Sequence, residues 1–402
     1  MHRMLAAGLR QTQALILAGG RGKRLFPLTV SRPKPAVPFG GNFRIVDFTL
    51  SNCLNSNLTQ VTLLTQYRHD ELQSYVQQEW SDLWSRSGTD DRSLICLPPT
   101  PGNRYRGTAD AVFQNLPLIH STESETVLIL SGDHVYQMDY REFMAQHEET
   151  NADVTIATSE HPLKDASQFG VVEVDSDLRV TAFEEKPLKP RPLPSHPDRS
   201  LISMGIYAFK REVLIRALVE NCAGGIGCDF GHNVIPSLID SARVYAYSFR
   251  DEARDTARYW RDIGTIDSYY NASMDLVLPE ALFNPYVSNS WKSQSGEPLQ
   301  RTTSISGDAY VSQSVLSSGV HIEQNASVED SVLMPGVRVG KGARLRHAII
   351  EEGIHIPMDF QVGWNNDQDL KHHIVSRSGV VVVSESPKMT RPIRLYSVKE
   401  TT

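Results

Sequence analysis

The chain has 402 residues, 40% of them hydrophobic and 22% charged, with a formal net charge of −7. That length predicts two domains, and that composition an ordered, soluble globular protein. It excludes a disordered chain, and no apolar run approaches the length of a membrane span.

Four cysteines (Cys53, Cys96, Cys222, Cys228) are dispersed without a CxxC pair. The expectation is therefore neither a disulfide framework nor a zinc site. The N-terminus lacks a signal-peptide pattern, so a cytoplasmic location is expected.

Residues 1–12 read as a loose tail. Ala14–Leu17 predicts a buried strand that runs into a glycine-rich loop, with Gly19, Gly20 and Gly22 interleaved with Arg21, Lys23 and Arg24. Lys34 follows, between Pro33 and Pro35. Glycines let backbone N–H groups approach a ligand closely, and the cations make that ligand an anion, best read as a polyphosphate. Charge agrees. Residues 1–46 hold eight Lys/Arg and no acid, while the other 356 residues carry a net −15. One basic region on an acidic chain is a local anion site rather than a nucleic-acid surface.

Further strands are predicted at 61–65, 127–131, 154–158, 170–174, 202–209 and 244–247. Helices are predicted at 45–55, 70–80, 109–119, 140–150, 212–219 and 266–277. This alternation implies an α/β fold with a Rossmann-like, mostly parallel mixed sheet, its ligand at the carboxyl ends of the strands. Residues 278–303 read as a linker rich in Pro, Asn and Ser. Beyond it lies a repeat: Ile305, Ile322, Val339 and Ile356 are spaced by 17, as are Val311, Val328, Leu345 and Val362, and Gly319, Gly336 and Gly353. That spacing predicts a parallel β-helix of hexapeptide-like rungs, expected to be left-handed. The expected domains are 13–277 (catalytic), 278–303 (linker) and 304–402 (β-helix), with a closing strand near Val380–Ser384.

Several residues could carry chemistry. Asp133, after the strand 127–131, and Asp262, before a helix, suit either Mg²⁺ bound with nucleotide phosphates or plain helix caps and turns. Gly107 and Thr108 open a helix and could meet a flat base or ribose; an ordinary capped start fits equally. Glu185-Lys186-Pro187 could hold a smaller phosphate and sugar hydroxyls, or be a solvated turn. The histidines show no metal-ligand spacing, and no Ser-His-Asp or Cys-His arrangement is visible.

Leu17-Ala18-Gly19-Gly20-Arg21-Gly22 through Arg24-Leu25, with Lys34-Pro35-Ala36-Val37, resembles the signature of sugar-phosphate nucleotidyltransferases. The further set Tyr105-Arg106-Gly107-Thr108-Ala109-Asp110, Gly132-Asp133-His134, Glu185-Lys186-Pro187, Asp229-Phe230-Gly231 and Trp260-Arg261-Asp262 is similar to the bacterial glucose-1-phosphate adenylyltransferases. The likeness runs from about 13 to 364. It implies synthesis of ADP-glucose from ATP and α-D-glucose 1-phosphate for glycogen, with Mg²⁺, a homotetramer and small-molecule effectors, and neither nucleic acid nor membrane as partner. It implies Gly19, Gly20, Arg21, Gly22 and Arg24 on the ATP phosphates, and Lys34 near the α-phosphate. Gln66, Gly107 and Thr108 would meet base and ribose, and Asp133 and Asp262 the metal. Tyr105, Gly170, Glu185, Lys186 and Ser203 would bind glucose 1-phosphate. Catalytic weight would fall on Arg24, Lys34 and Asp133. Arg32 and Arg44 match part of the effector set of the enteric members. Ser31 stands where those have a lysine and Pro38 where they have a histidine, so their effectors are not carried over. Other bases or sugars, and a non-catalytic regulatory subunit, are the competing readings.

Overall fold

The computed structural model describes residues 12–86, 92–224, 227–251, 253–277 and 303–385. The predicted tail 1–12 and linker 278–303 fall almost wholly outside them. Beside four two-residue strands (Pro38–Phe39, Phe43–Arg44, Arg250–Asp251 and Thr256–Ala257), the described residues of the first part form β1 (Thr12–Ala18), β2 (Gln60–Thr65), β3 (Ser93–Leu97), β4 (Thr126–Ser131), β5 (His134–Tyr136), β6 (Val154–Pro162), β7 (Gly170–Val174), β8 (Val180–Glu185), β9 (Arg199–Lys210), β10 (Val244–Ser248) and β11 (Trp260–Asp262). The central sheet runs β8-β7-β9-β4-β1-β2-β3, with β6 on the second edge of β9 and β10 beyond it. Strands β3, β2, β1 and β4 are mutually parallel, and β9 is antiparallel to β4, β6 and β7. The sheet is thus mixed, as expected.

The strand sequences explain its burial. Along β1, Ala14, Ile16 and Ala18 pack with helices Ile45–Asn55, His69–Arg86 and Tyr140–Glu149. Leu15 faces the other way, toward Thr108–Phe113, Leu116–His120 and Arg211–Cys222. Alternation along one strand therefore feeds two cores, which is why β1 reads as a continuous apolar run.

Two expectations need correction. The predicted helix 109–119 is two helices, because Asn115 starts afresh with Pro117 near the N-terminus of the second, where its missing N–H costs nothing. Cys222 and Cys228 form a disulfide, their Cα atoms 5.3 Å apart. Cys222 ends helix Arg211–Cys222, and the Cys228 carbonyl accepts from the N–H groups of Ala109 and Asp110, both at 3.0 Å. The fold thus pairs two cysteines whose spacing carries no motif.

Residues 303–385 hold three parallel ladders in the 17-residue register: Ile305↔Ile322↔Val339↔Ile356, Val311↔Val328↔Leu345↔Val362 and Val315↔Val332↔Ile349. Ile322, Val339 and Ile356 of the first ladder and Val328, Leu345 and Val362 of the second fill the interior of a β-helix, while Val315, Val332 and Ile349 of the third face the first part. Gly319, Gly336 and Gly353 stack at one corner with φ of +72, +73 and +75, a left-handed turn at no steric cost. The third ladder is interrupted by helix Asn366–His372 and completed by Val381–Val383, which pairs with Ala348–Ile350.

The two parts share a core. Leu25, Phe39, Phe48 and Ile266 pack with Val315, Val332, Ile349 and Val382. Tyr270 donates to the Asp330 carbonyl at 2.7 Å, and Ser378 to Asp267 Oδ1 at 2.7 Å.

Candidate active site

Strands β1, β2 and β4 end at one edge because they are parallel neighbours, so the loops after them converge. The N–H of Gly132 donates to the Leu17 carbonyl at 3.1 Å, and that of Tyr67 to Gly19 at 3.4 Å. Above this edge lies a cleft of about 550 Å³, a common size for a small-molecule site.

The glycine-rich loop is shaped by Gly22. Its φ is +64, and an added Cβ would lie 2.9 Å from Lys34 Cβ. The loop and Lys34 are therefore in direct contact, which only glycine permits. Lys34 opens a short 3-10 turn, Lys34–Ala36, and is buried. Its Nζ lies 2.8 Å from Asp133 Oδ2 and 2.8 Å from Asp262 Oδ1. Burial alone would pull the Lys34 ammonium down. The fields of Asp133 and Asp262 outweigh it and hold the ammonium above its usual value. Burial likewise pushes the Asp133 carboxyl up, but Lys34 and His134 reverse the sign and hold it below the usual carboxylate range.

Helix Ile45–Asn55 fixes the turn that carries Asp133. Thr49 donates to the Ser131 carbonyl at 2.8 Å, Asn52 to Tyr136 at 3.4 Å, and Met138 N–H to Asn52 Oδ1 at 3.0 Å. Asp262 arrives on β11, which pairs antiparallel with β5 and sets Asp262 opposite His134. An added Cβ at Gly264 would lie 3.0 Å from Asp262 Oδ2 and 3.2 Å from Arg24 Nη2, so the guanidinium stands beside that carboxylate.

At the far side, the Glu185 carboxylate nests between Gly170 and Gly231: added Cβ atoms there would come within 2.9 Å and 2.3 Å of Oε2. Lys186, with φ +52, turns its Nζ to 2.6 Å from Glu185 Oε1 and stays over half exposed. Ser203 Oγ donates to Tyr207 Oη at 3.3 Å.

The cleft brings together Gly19, Gly20, Arg24, Lys34, Gln66, Tyr105, Gly107, Thr108, Asp133, Gly170, Glu185, Lys186, Ser203 and Asp262. Four expected residues stand outside its lining. Gly22 shapes the loop from behind. Arg21 lies over the Tyr67 ring, 5.1 Å from its centroid. Arg32 pairs with Glu352 of the β-helix. Arg44 stacks on Tyr75 at 4.1 Å. Gln66 lines the cleft, but its amide is already engaged with the Tyr105 backbone at both ends. That makes it a clamp between the two loops.

Sequence reasoning missed His134. Histidine spacing was the wrong signal, because the partners are aspartates: one ligand atom each from Asp133, His134 and Asp262 lies within 4.8 Å of the others. Two carboxylates facing a cleft suit a hard divalent cation. Asp229, Phe230 and Tyr207 also line the cleft without having been assigned. Asp229 and Phe230 stand in the Asp229-Phe230-Gly231 motif, which was the available signal.

Among the described residues, no helix is long and apolar enough to cross a membrane. Residues 13–277 match the nucleotidyl transferase family and residues 297–383 the GlmU-like C-terminal hexapeptide family. The chain is 42% identical to glucose-1-phosphate adenylyltransferase 2 of Vibrio cholerae over 94% of its own length and 98% of that protein. It is 44% identical to the protein of that name in Vibrio parahaemolyticus, over 94% and 99%. A third, from Alkalilimnicola ehrlichii, is 49% identical over 69% of this chain and 66% of that protein. With the mixed sheet, the cleft at its carboxyl edge and the parallel β-helix, these matches identify the chain as an enzyme of the nucleotidyl transferase family, in its glucose-1-phosphate adenylyltransferase branch.

Proposed function

We propose that the enzyme joins ATP and α-D-glucose 1-phosphate to form ADP-glucose and diphosphate, for α-glucan or glycogen synthesis. One observation carries the reading: a single cleft has two cationic poles with paired carboxylates at one of them. The glycine loop, Arg24 and Lys34 lie at one pole beside Asp133 and Asp262, and Lys186 lies at the other. The names of the relatives support it.

In this reading, Gly19 and Gly20 present backbone N–H groups to the ATP phosphates, with Arg24 adding charge. Gly107 and Thr108 border base and ribose, and Gln66 positions them by clamping Tyr105. Lys186 takes the phosphate of glucose 1-phosphate. Tyr105, Gly170, Glu185 and Ser203 shape the sugar pocket. The sugar phosphate attacks the α-phosphorus in line, and diphosphate leaves. Its oxygen is already anionic, so no general base is needed. Positioning and charge neutralisation by Arg24, Lys34 and Lys186 do the work. Asp133 and Asp262 would hold Mg²⁺, which when bound supplies further positive charge to the phosphates.

The proposed division is a catalytic domain over 13–277, a linker over 278–303 and a left-handed β-helix over 304–402. A cytoplasmic homotetramer is proposed, with an effector site that uses Arg32 and Arg44 near the domain boundary. The Arg32–Glu352 pair supports a link between effector and β-helix.

The test is diphosphate release with glucose 1-phosphate and each of ATP, UTP, GTP and dTTP. ATP is expected to be favoured by about tenfold or more. Preference for another nucleotide would move the assignment to a different sugar nucleotide, and no turnover with any would favour a regulatory subunit.

A further inference from the structure

We propose that Lys34 gates the divalent-cation site: without nucleotide its ammonium closes the gap between Asp133 and Asp262, and a polyphosphate on the glycine loop draws it away. This rests on the reading of Asp133 and Asp262 as metal carboxylates.

The competition follows from where the ammonium lies. Lys34 Nζ is 2.8 Å from Asp133 Oδ2 and 2.8 Å from Asp262 Oδ1. These two side chains, with His134, are the group among the described residues placed to hold a metal ion. An ammonium hydrogen-bonded to both carboxylates fills the gap between them and takes one oxygen of each, Asp133 Oδ2 and Asp262 Oδ1. It also repels a second positive charge at short range. The two occupants therefore exclude one another.

The surroundings say which part can move. The Lys34 backbone is held between Pro33 and Pro35 in a 3-10 turn. Its Cβ lies against Gly22, where an added Cβ would come within 2.9 Å. Only the four-carbon stem can swing. Gly19, Gly20 and Arg24 line the same cleft as Lys34. A phosphate seated there offers the ammonium a new anion in place of the two carboxylates.

The consequence is linkage. The ion pair stabilises the free enzyme in a form with little affinity for metal. Whatever draws Lys34 to the phosphates raises the affinity of Asp133 and Asp262 for the cation, and the reverse holds equally. Metal and nucleotide then enter as a coupled pair.

The experiment is Mn²⁺ titration of nucleotide-free full-length enzyme, read by electron paramagnetic resonance of the free ion. Wild type is compared with Lys34→Met, close in length and shape, and with Lys34→Gln, which keeps a polar head. Circular dichroism checks that each variant is folded. Both uncharged variants are expected to bind Mn²⁺ tighter than wild type by about tenfold or more. Unchanged or weaker binding in a folded variant would overturn the gate. ADP-glucose synthesis by wild type is assayed separately. Synthesis without tighter Mn²⁺ binding in the variants rejects the gate alone, and tighter binding without synthesis rejects only the substrate assignment.

Discussion

Thr108 and Asp229 join the two halves of the cleft rim: the N–H and the hydroxyl of Thr108 both donate to Asp229 Oδ1, each at 2.9 Å. The Phe230 N–H returns a bond to Thr108 Oγ1 at 3.0 Å. One side chain thus ties the start of helix Thr108–Phe113 to the π-helical turn Phe230–Val234. Close by, an added Cβ at Gly107 would strike the Cys228 carbonyl oxygen at 2.2 Å, so the two segments meet backbone to backbone.

Thr108→Val keeps the shape and the backbone N–H but removes the hydroxyl. The loss costs about 1 kcal/mol at this exposed position. Faster amide hydrogen exchange across residues 229–234 is expected, with a several-fold drop in kcat/KM. Unchanged exchange would mean that the two segments are held together by packing alone.

Lys186→Ala should raise KM for glucose 1-phosphate by about tenfold or more and leave that for ATP nearly unchanged. Lys186 sits across the cleft from the glycine loop, so its loss reaches one substrate. Equal effects on both would detach it from the sugar phosphate.

Asp133→Asn should lower kcat by about a thousandfold or more. It should also weaken Mn²⁺ binding measured in the presence of nucleotide. Near-normal turnover would remove Asp133 from the metal site.

Asp47 gives a pH prediction. Its buried carboxylate accepts from Arg44 N–H at 2.7 Å, Tyr75 Oη at 2.6 Å and Trp80 Nε1 at 2.8 Å. Burial pushes its pKa up to about 6, against a usual 3.8, and the three donors only partly offset that. A carboxyl raised on folding favours the folded state below pH 3.8. That contribution is lost as pH rises through about 6. The stability advantage of wild type over Asp47→Asn should therefore be larger at pH 4.5 than at pH 7.5, by up to about 2 kcal/mol. Urea midpoints at the two pH values measure it, and a difference of the opposite sign would show that the donors outweigh burial.

The sequence alone determined a great deal, because much of this fold is written in local periodicity. Apolar runs placed seven strands of the central sheet. The 17-residue repeat set the register of the β-helix, since each rung buries the same position against the next. The run of cations and glycines placed the phosphate loop, since those residue types act through their own backbone and charge. The edge strand Ser93–Leu97 was missed although Leu94, Ile95, Cys96 and Leu97 form a short apolar run; at the sheet edge it is only partly buried.

Tertiary structure decided what depends on partners distant in the chain. Asp262 reaches Asp133 only because β11 pairs with β5. His134 joins them by the same pairing, and no histidine spacing encodes that. Cys222 meets Cys228 at a spacing that carries no motif. Arg21, expected on phosphate, rests on Tyr67, and Arg32 crosses to Glu352. Lys34 shows the division most clearly. Its place beside a glycine loop was readable, because proline and glycine act locally. Its position between two carboxylates was not, because a buried charge takes its meaning from whichever opposite charges the fold brings to it.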